Sequence, residues 1–284
     1  MDYDSVIAQI VTNDDYITSD KFIKLAQSLN LPYFKRDFLF KPGVWRGSRQ
    51  WPIWCNSPSR NRSLFLGHSD FETDAFDIAA LKFFGARNIF GTNLDSNIKG
   101  VTTVPLGLTN WTNESRAHEI YGNTLCINEA LQLDRKSITW TGSIYANFSV
   151  QTNIAVRQPV LNLLKNQKNV FIDHFDFSFE GRISYLKNLR KFNLVACPEG
   201  NGVDTHRLWE TLYMGGTPII IKSKFISPLI AQLPVIQIED WAELNDVSSL
   251  EERWINLMSK SWDWNLITMT FWEKLVESKL GSVK

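Results

Sequence analysis

The stretch FNLVACPEGNGVDTHRLWETLYMGGTPIII, residues Phe192 to Ile221, decides the fold of this chain. Leu194 to Cys197 is a short apolar run of strand character that breaks at Pro198 into a loop carrying Gly200 and Gly202. From Asp204 an amphipathic pattern runs to Met214, with Asp204 placed to cap it, and Gly215-Gly216 stops it before the apolar run Thr217 to Ile221. Strand, glycine loop, helix and strand in such quick succession make a βαβ unit, which requires a parallel sheet covered by helices.

Working outward, the alternation extends from Lys136 onward through SITWTGS, RQPVLNLLKNQ, NVFIDHF, EGRISYLKNLRK and PVIQIED, with Pro159 suited to a first helical turn. Upstream, RSLFLGHSD, NIFGTNL and GVTTVPLG read as strands and DAFDIAALKFFG as a helix closed by Gly85. The segment LEERWINLMSKSWDWNLITMTFWEKLVESKL is helical in pattern, and its Trp and Phe content predicts packing across both halves. The expected organisation is an α/β domain over residues 1–135, a second over 136–255, and helices over 256–284 that pack back on the first.

The bulk numbers bound the function classes. With 284 residues, 44% hydrophobic and 21% charged, the chain has globular values and room for two cores. Thirty basic and thirty acidic residues leave no net charge, so no whole-chain field favours nucleic acid or an anionic membrane. Cys55, Cys126 and Cys197 show no metal-ligand spacing and cannot all pair, which points to a reducing compartment. The first residues are acidic and no apolar run approaches the roughly 18 residues of a membrane span, so a soluble, cytoplasmic protein is expected.

The loop Pro198 to Val203 lies at the carboxyl end of a parallel strand and at the amino end of a helix. Ligands of open α/β sheets bind there, and unpaired amides together with the helix dipole favour an anion such as a diphosphate. Arg207 and Glu210, three apart, point together on the polar face of the helix; the Arg suits phosphate oxygens and the Glu a ribose diol, although such a pair is also an ordinary surface ion pair. GNGVDTHR lacks the Lys-Ser/Thr ending of a nucleotide triphosphatase loop. It begins Gly-X-Gly, but Thr205 holds the third glycine position of a dinucleotide fingerprint, so an NAD(P)-dependent oxidoreductase is a weaker alternative.

The whole stretch resembles the C-terminal signature of exostosin-like GT-B glycosyltransferases: a strand, Cys-Pro-X-Gly, a short loop, Arg-Leu-aromatic-Glu, then Gly and Pro before a strand. IFGTNLD followed by GVTTVPLGLTN is similar to the segment before the domain crossover in these enzymes, and ITWTGSIYANFSVQTNIAVR to the first strand of their second domain. The resemblance implies two Rossmann-like domains facing a cleft, with an acceptor-binding first domain and a second that binds a UDP-sugar donor, UDP-xylose on family grounds. A sugar would pass to an oligosaccharide or glycan acceptor with inversion and without a bound metal or other cofactor. Small soluble relatives similar to this layout occur in bacteria and large algal viruses, and a viral origin would imply the host cytoplasm.

On that resemblance Gly142 and Ser143 approach the phosphates, Arg157 and Arg207 neutralise them, Pro198, Glu199, Gly200, Asn201, Gly202, Asp204, Thr205 and His206 build the donor loop, and Glu210 holds the ribose. Inverting transfer needs a base, for which LFLGHSDFETD offers Asp70 first and His68 second, with Asp95 a further candidate. Asp70 or Asp74 is equally suited to capping the following helix. DHFD, Asp173 to Asp176, has acidic spacing but overlaps a strand end, so no metal site is expected. A glycan-binding protein without activity is the remaining alternative.

Overall fold

The computed structural model describes residues 3–35, 63–67, 70, 72–112, 116–133, 143–174 and 176–281. Helices α1 (Tyr3–Thr12) and α2 (Ser19–Ser28) open the chain, the second capped by Thr18. Then β1 (Tyr33–Lys35), β2 (Leu64–Gly67), helix α3 (Ala75–Phe83), β3 (Ile89–Gly91) and β4 (Val101–Thr103) follow. The four strands are parallel and lie in chain order, β1-β2-β3-β4. Asp74 caps α3, accepting from the amides of Phe76 at 2.8 Å and Asp77 at 3.1 Å. The cap is therefore Asp74, which leaves Asp70 with no capping duty.

Two connecting helices, α4 (Arg116–Tyr121) and α5 (Thr124–Leu131), lead to the second half. Its elements are β5 (Ile144–Ala146), α6 (Ile154–Lys165), β6 (Val170–Ile172), α7 (Phe179–Lys191), β7 (Leu194–Ala196), α8 (His206–Tyr213), β8 (Thr217–Ile221), α9 (Ser227–Ile230) and β9 (Ile236–Ile238). They form a five-stranded parallel sheet in the order β6-β5-β7-β8-β9. The chain leaves β5 to one side for β6 and returns on the other for β7. A reversal of that kind opens a crevice between the two crossovers, outside the carboxyl ends of β5 and β7.

Period-2 alternation sorts the side chains. Leu64, Leu66 and Ile89 point to a small core closed by Ile78 and Leu81 of α3, whereas Phe65 and Phe90 point the other way. In the second sheet Ile144, Leu194, Ala196 and Ile219 meet Val160 and Leu164 of α6 together with Leu250 and Trp254 of α10 (Val247–Met258). Tyr145, Val195 and Ile220 point inward, into one core that they share with Phe65 and Phe90 of the first sheet. Ile7 and Val11 of α1, Trp209 and Tyr213 of α8, and Trp272 and Val276 of α11 (Met269–Gly281) join that core.

The apolar interior thus runs unbroken from one sheet to the other, and the first and last helices both pack on it. Main-chain bonds agree: the Met269 amide donates to Asp15 O at 2.7 Å. Tyr213 Oη lies between two distant segments, accepting from the Ile17 amide at 3.0 Å and donating to Ile267 O at 2.6 Å. Among the described residues no helix is long and apolar enough to cross a membrane.

Two readings need correction, and a third falls outside the described residues. Helix α6 starts at Ile154, capped by Asn153, so Pro159 sits inside the helix rather than in its first turn. A strand runs over Ile144–Ala146, directly after Ser143, while the SITWTG run expected as a strand lies outside the described residues. Asp204 does not cap α8; Thr205 is the N-cap residue and its side chain makes no capping bond.

Candidate functional site

The crevice predicted by the strand order is occupied by a cavity of about 450 Å³. Loops at the carboxyl ends of β5, β6 and β7 supply Asn147, Asp173 and the Gly200 to Gly202 loop, and the first turns of α8 supply His206, Arg207 and Glu210. Asp70, Leu106 and Thr109 close it from the first half. This size suits a ligand larger than a single sugar, since small-molecule sites span about 300–1,000 Å³.

The glycine loop is held by Arg157 from behind. Its Nε donates to Glu199 O at 2.8 Å, Nη1 to Ser149 O at 2.8 Å and Nη2 to Pro198 O at 3.4 Å. Arg157 therefore positions the loop instead of extending freely toward a ligand, while its charge still faces the cavity. Burial, and then the neighbouring Arg207, lower its pKa to about 10, so it stays cationic at neutral pH. Asn153 Nδ2 adds a bond to Gly200 O at 2.7 Å. Pro198 and Glu199 contribute their carbonyls to this clamp and are not part of the cavity lining; burial, then Glu72, raise the pKa of Glu199.

Gly202 makes the closest approach across the cleft, because a Cβ there would collide with the main-chain oxygen of Asp70. Asn201 Nδ2 reaches Asp70 Oδ2 at 3.3 Å. Next to it Asp204 is buried and bridges the halves, accepting from the Leu106 amide at 2.8 Å and from Trp209 Nε1 at 2.6 Å, while its own amide donates to Asn93 Oδ1 at 3.2 Å. Burial pushes its pKa up to about 7, against the Leu106 and Trp209 bonds that lower it. Neither of its donors is a cation, which is why burial prevails.

The Arg207–Glu210 partnership read from spacing is not formed. Glu210 is 5% exposed, and its Oε1 pairs with Arg182 Nη2 of α7 at 2.7 Å while Oε2 accepts from Tyr185 Oη at 2.8 Å. Burial alone would raise the Glu210 carboxyl; Arg182 and Tyr185 hold it below the usual range. The Arg182 guanidinium is itself enclosed, lying 5.0 Å from the Tyr121 ring centroid and 5.3 Å from that of Tyr185.

Among the described residues Arg207 is consequently left without a carboxylate partner. Its Nε is buried with no hydrogen-bond partner among the described residues, and its guanidinium carbon lies 6.0 Å from the Phe148 ring centroid. Thr205 Oγ1 and Asn147 Oδ1 are likewise buried and unpartnered, and all three residues line the cavity. Asn147 cannot be turned around, since its Nδ2 donates to His174 O at 3.3 Å and a carbonyl only accepts.

The remaining expected residues are placed as follows. Ser143 immediately precedes β5, at its amino end, and is not part of the cavity lining. Asp95 forms an ion pair with Lys224 at 3.0 Å and does not line the cavity. His68 and Gly142 lie outside the described residues, as do Cys55 and the Trp140 run; Cys126 and Cys197 are free and buried. Asp173 of the DHFD run is held by Tyr145 Oη at 2.8 Å and Asn188 Nδ2 at 3.1 Å. Among the described residues no group of three or more His, Cys, Asp or Glu is arranged to hold a metal.

Sequence reading missed Asn147, Tyr121, Arg182 and Tyr185. Asn147 follows a strand end, which is a usable signal; the other three act across elements, and no spacing rule connects them to the loop. No protein-family model matches the chain, and no curated protein matches it either.

Proposed function

We propose that the protein is a glycosyltransferase of GT-B type, whose second half holds a UDP-sugar and whose first half presents a glycan hydroxyl across the cleft. One observation carries the reading: a cavity at the reversal point of the sheet, lined by the Gly200 to Thr205 loop at a helix amino end and by Arg207, Thr205 and Asn147, each with a buried polar atom that has no partner among the described residues. An anion supplies the acceptor that Arg207, the loop amides and Thr205 Oγ1 lack, and a hydroxyl of the same ligand the donor that Asn147 Oδ1 lacks. The resemblance of Phe192 to Ile221 to exostosin-like enzymes narrows that anion to the diphosphate of a nucleotide-sugar, and xylose is the sugar proposed.

The chemistry fits the charges. Breaking the bond from the anomeric carbon to the diphosphate leaves negative charge on the departing oxygens, and Arg207, the loop amides and the nearby charge of Arg157 are aimed at that point. We propose transfer without a metal, with these fixed cations in its place, and with inversion. The base is one of two groups that line the cavity from the cleft side, Asp70 or His206.

Calorimetric titration with UDP in the presence of a chelator tests the proposal. Saturable binding is expected, weakened about 10- to 100-fold in Arg207→Ala, the range of a lost charge-assisted hydrogen bond. Absence of UDP binding, or binding indifferent to Arg207→Ala, would overturn it. A larger thermal shift with NAD than with UDP would favour the dinucleotide alternative.

A further inference from the structure

His206 is the first residue of α8 and half-buried, and its ring contact is informative about the proton. Nδ1 lies 2.8 Å from Gly107 O. A carbonyl oxygen has no proton to give, so Nδ1 must carry the hydrogen and donate it. The neutral ring is then the tautomer whose lone pair sits on Nε2, and Nε2 has no hydrogen-bond partner among the described residues. The ring lines the same cavity as Arg207, the cation placed for the leaving diphosphate, and as Leu106 and Thr109 of the acceptor half.

Asp70 is differently situated. It is exposed, and its Oδ2 already accepts from Asn201 Nδ2. Asp70 keeps lone pairs on Oδ1, but its exposed side chain is held by a single 3.3 Å bond, whereas the half-buried His206 ring, fixed at 2.8 Å through Nδ1, combines a set orientation with a free lone pair.

Resting on the glycosyltransferase reading, we infer that His206 Nε2 is the general base of the reaction. In the step it serves, the acceptor hydroxyl gives its proton to Nε2 as its oxygen bonds to the anomeric carbon. The bond from that carbon to the diphosphate breaks, and its electron pair leaves with the UDP. The Gly107 carbonyl holds the resulting imidazolium through Nδ1, and Nε2 then returns its proton to solvent. The arrangement parallels the base and orienting group of hydrolytic triads, with a main-chain carbonyl in the orienting role.

The groups facing this ring set its titration. Burial comes first and lowers its pKa, opposed by the Gly107 carbonyl, by Glu210 on the same helix and by Asp70 from the first half, while Arg182 of α7 lowers it further. The ring is thus neutral, and able to accept a proton, at and above pH 7.

The decisive variant is His206→Asn, whose amide reproduces the Nδ1 donor to Gly107 while removing Nε2. The probes are UDP for binding and release of UDP from UDP-xylose, UDP-glucose and UDP-galactose for turnover, with water as the acceptor. In His206→Asn, UDP affinity is expected to stay within about threefold of wild type and turnover to fall about 100-fold or more, the usual worth of a general base. The wild-type kcat/KM profile should lose activity on the acid side, with its limb lying below the ordinary imidazole value of about 6.5 because burial lowers this ring, and the variant's residual profile should lack that limb. Turnover kept by His206→Asn, an acid limb that survives in it, or loss confined to Asp70→Asn would overturn the assignment and leave the donor site intact. Wild type that binds UDP but turns over none of the three donors overturns the assignment as well. Wild type that does not bind UDP overturns the glycosyltransferase reading itself.

Discussion

At Glu210 the wall of the cavity and the stability of the molecule depend on one carboxylate. Its oxygens are engaged by Arg182 and Tyr185, both buried, so removing it strands a guanidinium that is 1% exposed. Glu210→Leu is expected to destabilise the protein by about 3–5 kcal/mol, the range for breaking a buried pair from one side. Arg182→Met in the Glu210→Leu background should recover most of that loss, because the stranded charge goes with it. Denaturant midpoints of the two single variants and the double variant check this; additive losses would mean that the pair is not coupled. The same geometry reassigns Arg207, which keeps its charge for the cavity because Glu210 pairs elsewhere.

At the scale of elements, the unit that matters is the loop between β7 and α8. Its two glycines are not equivalent. At Gly200 a Cβ would meet Arg157 Nη2 at 3.2 Å, a side-chain end that can shift, whereas at Gly202 it meets fixed main chain at Asp70. Gly202→Ala should therefore cost about 1–3 kcal/mol, as overpacking does, and should lower UDP affinity by pushing the loop off the first half. Gly200→Ala should have the smaller effect on both readings, and a reversed order would contradict this account of the loop.

The loop was also where the sequence was most legible. Its strand, glycines and helix were read in place because local patterning determines them, and Gly215 ends α8 at φ 78° as the reading required. Pro159 was misread because its fixed φ suits a first turn, yet Asn153 starts the helix earlier with a side-chain cap on the Val156 amide. The extra turn brings Arg157 within reach of the loop carbonyls. Helices α1 and α2 were not read as structural parts of the fold, and the Arg182–Glu210 pair joins two helices whose register no sequence spacing encodes.

At the scale of the whole molecule, the halves are joined by bonds that titrate. Asp204 links Leu106 and Asn93 to α8, and its folded-state pKa is raised from 3.8 to about 7. A carboxyl that prefers its proton when folded contributes stability that is fully present below about pH 4 and is lost as pH rises through about 7. Glu210, held low, has the opposite sign, with stability lost as pH falls through its lowered value. The difference between wild type and Asp204→Asn isolates the first effect. It should move against wild type by roughly 1 kcal/mol per unit between about pH 5 and pH 7, in chemical denaturation at each pH. A difference independent of pH would mean that Asp204 is ionised throughout.

The hydroxyl of Tyr213 has a consequence for the order in which the molecule is made. It terminates the helix that carries His206 and Arg207, yet its acceptor at Ile267 lies 54 residues further along the chain. On the ribosome the β7 loop and α8 are complete long before Ile267 and the Trp272 face of α11 have left the exit tunnel. Until then the shared interior is open on one side and α8 lacks its last anchor. The donor cavity thus matures only after residues some 54 positions downstream of α8 have emerged.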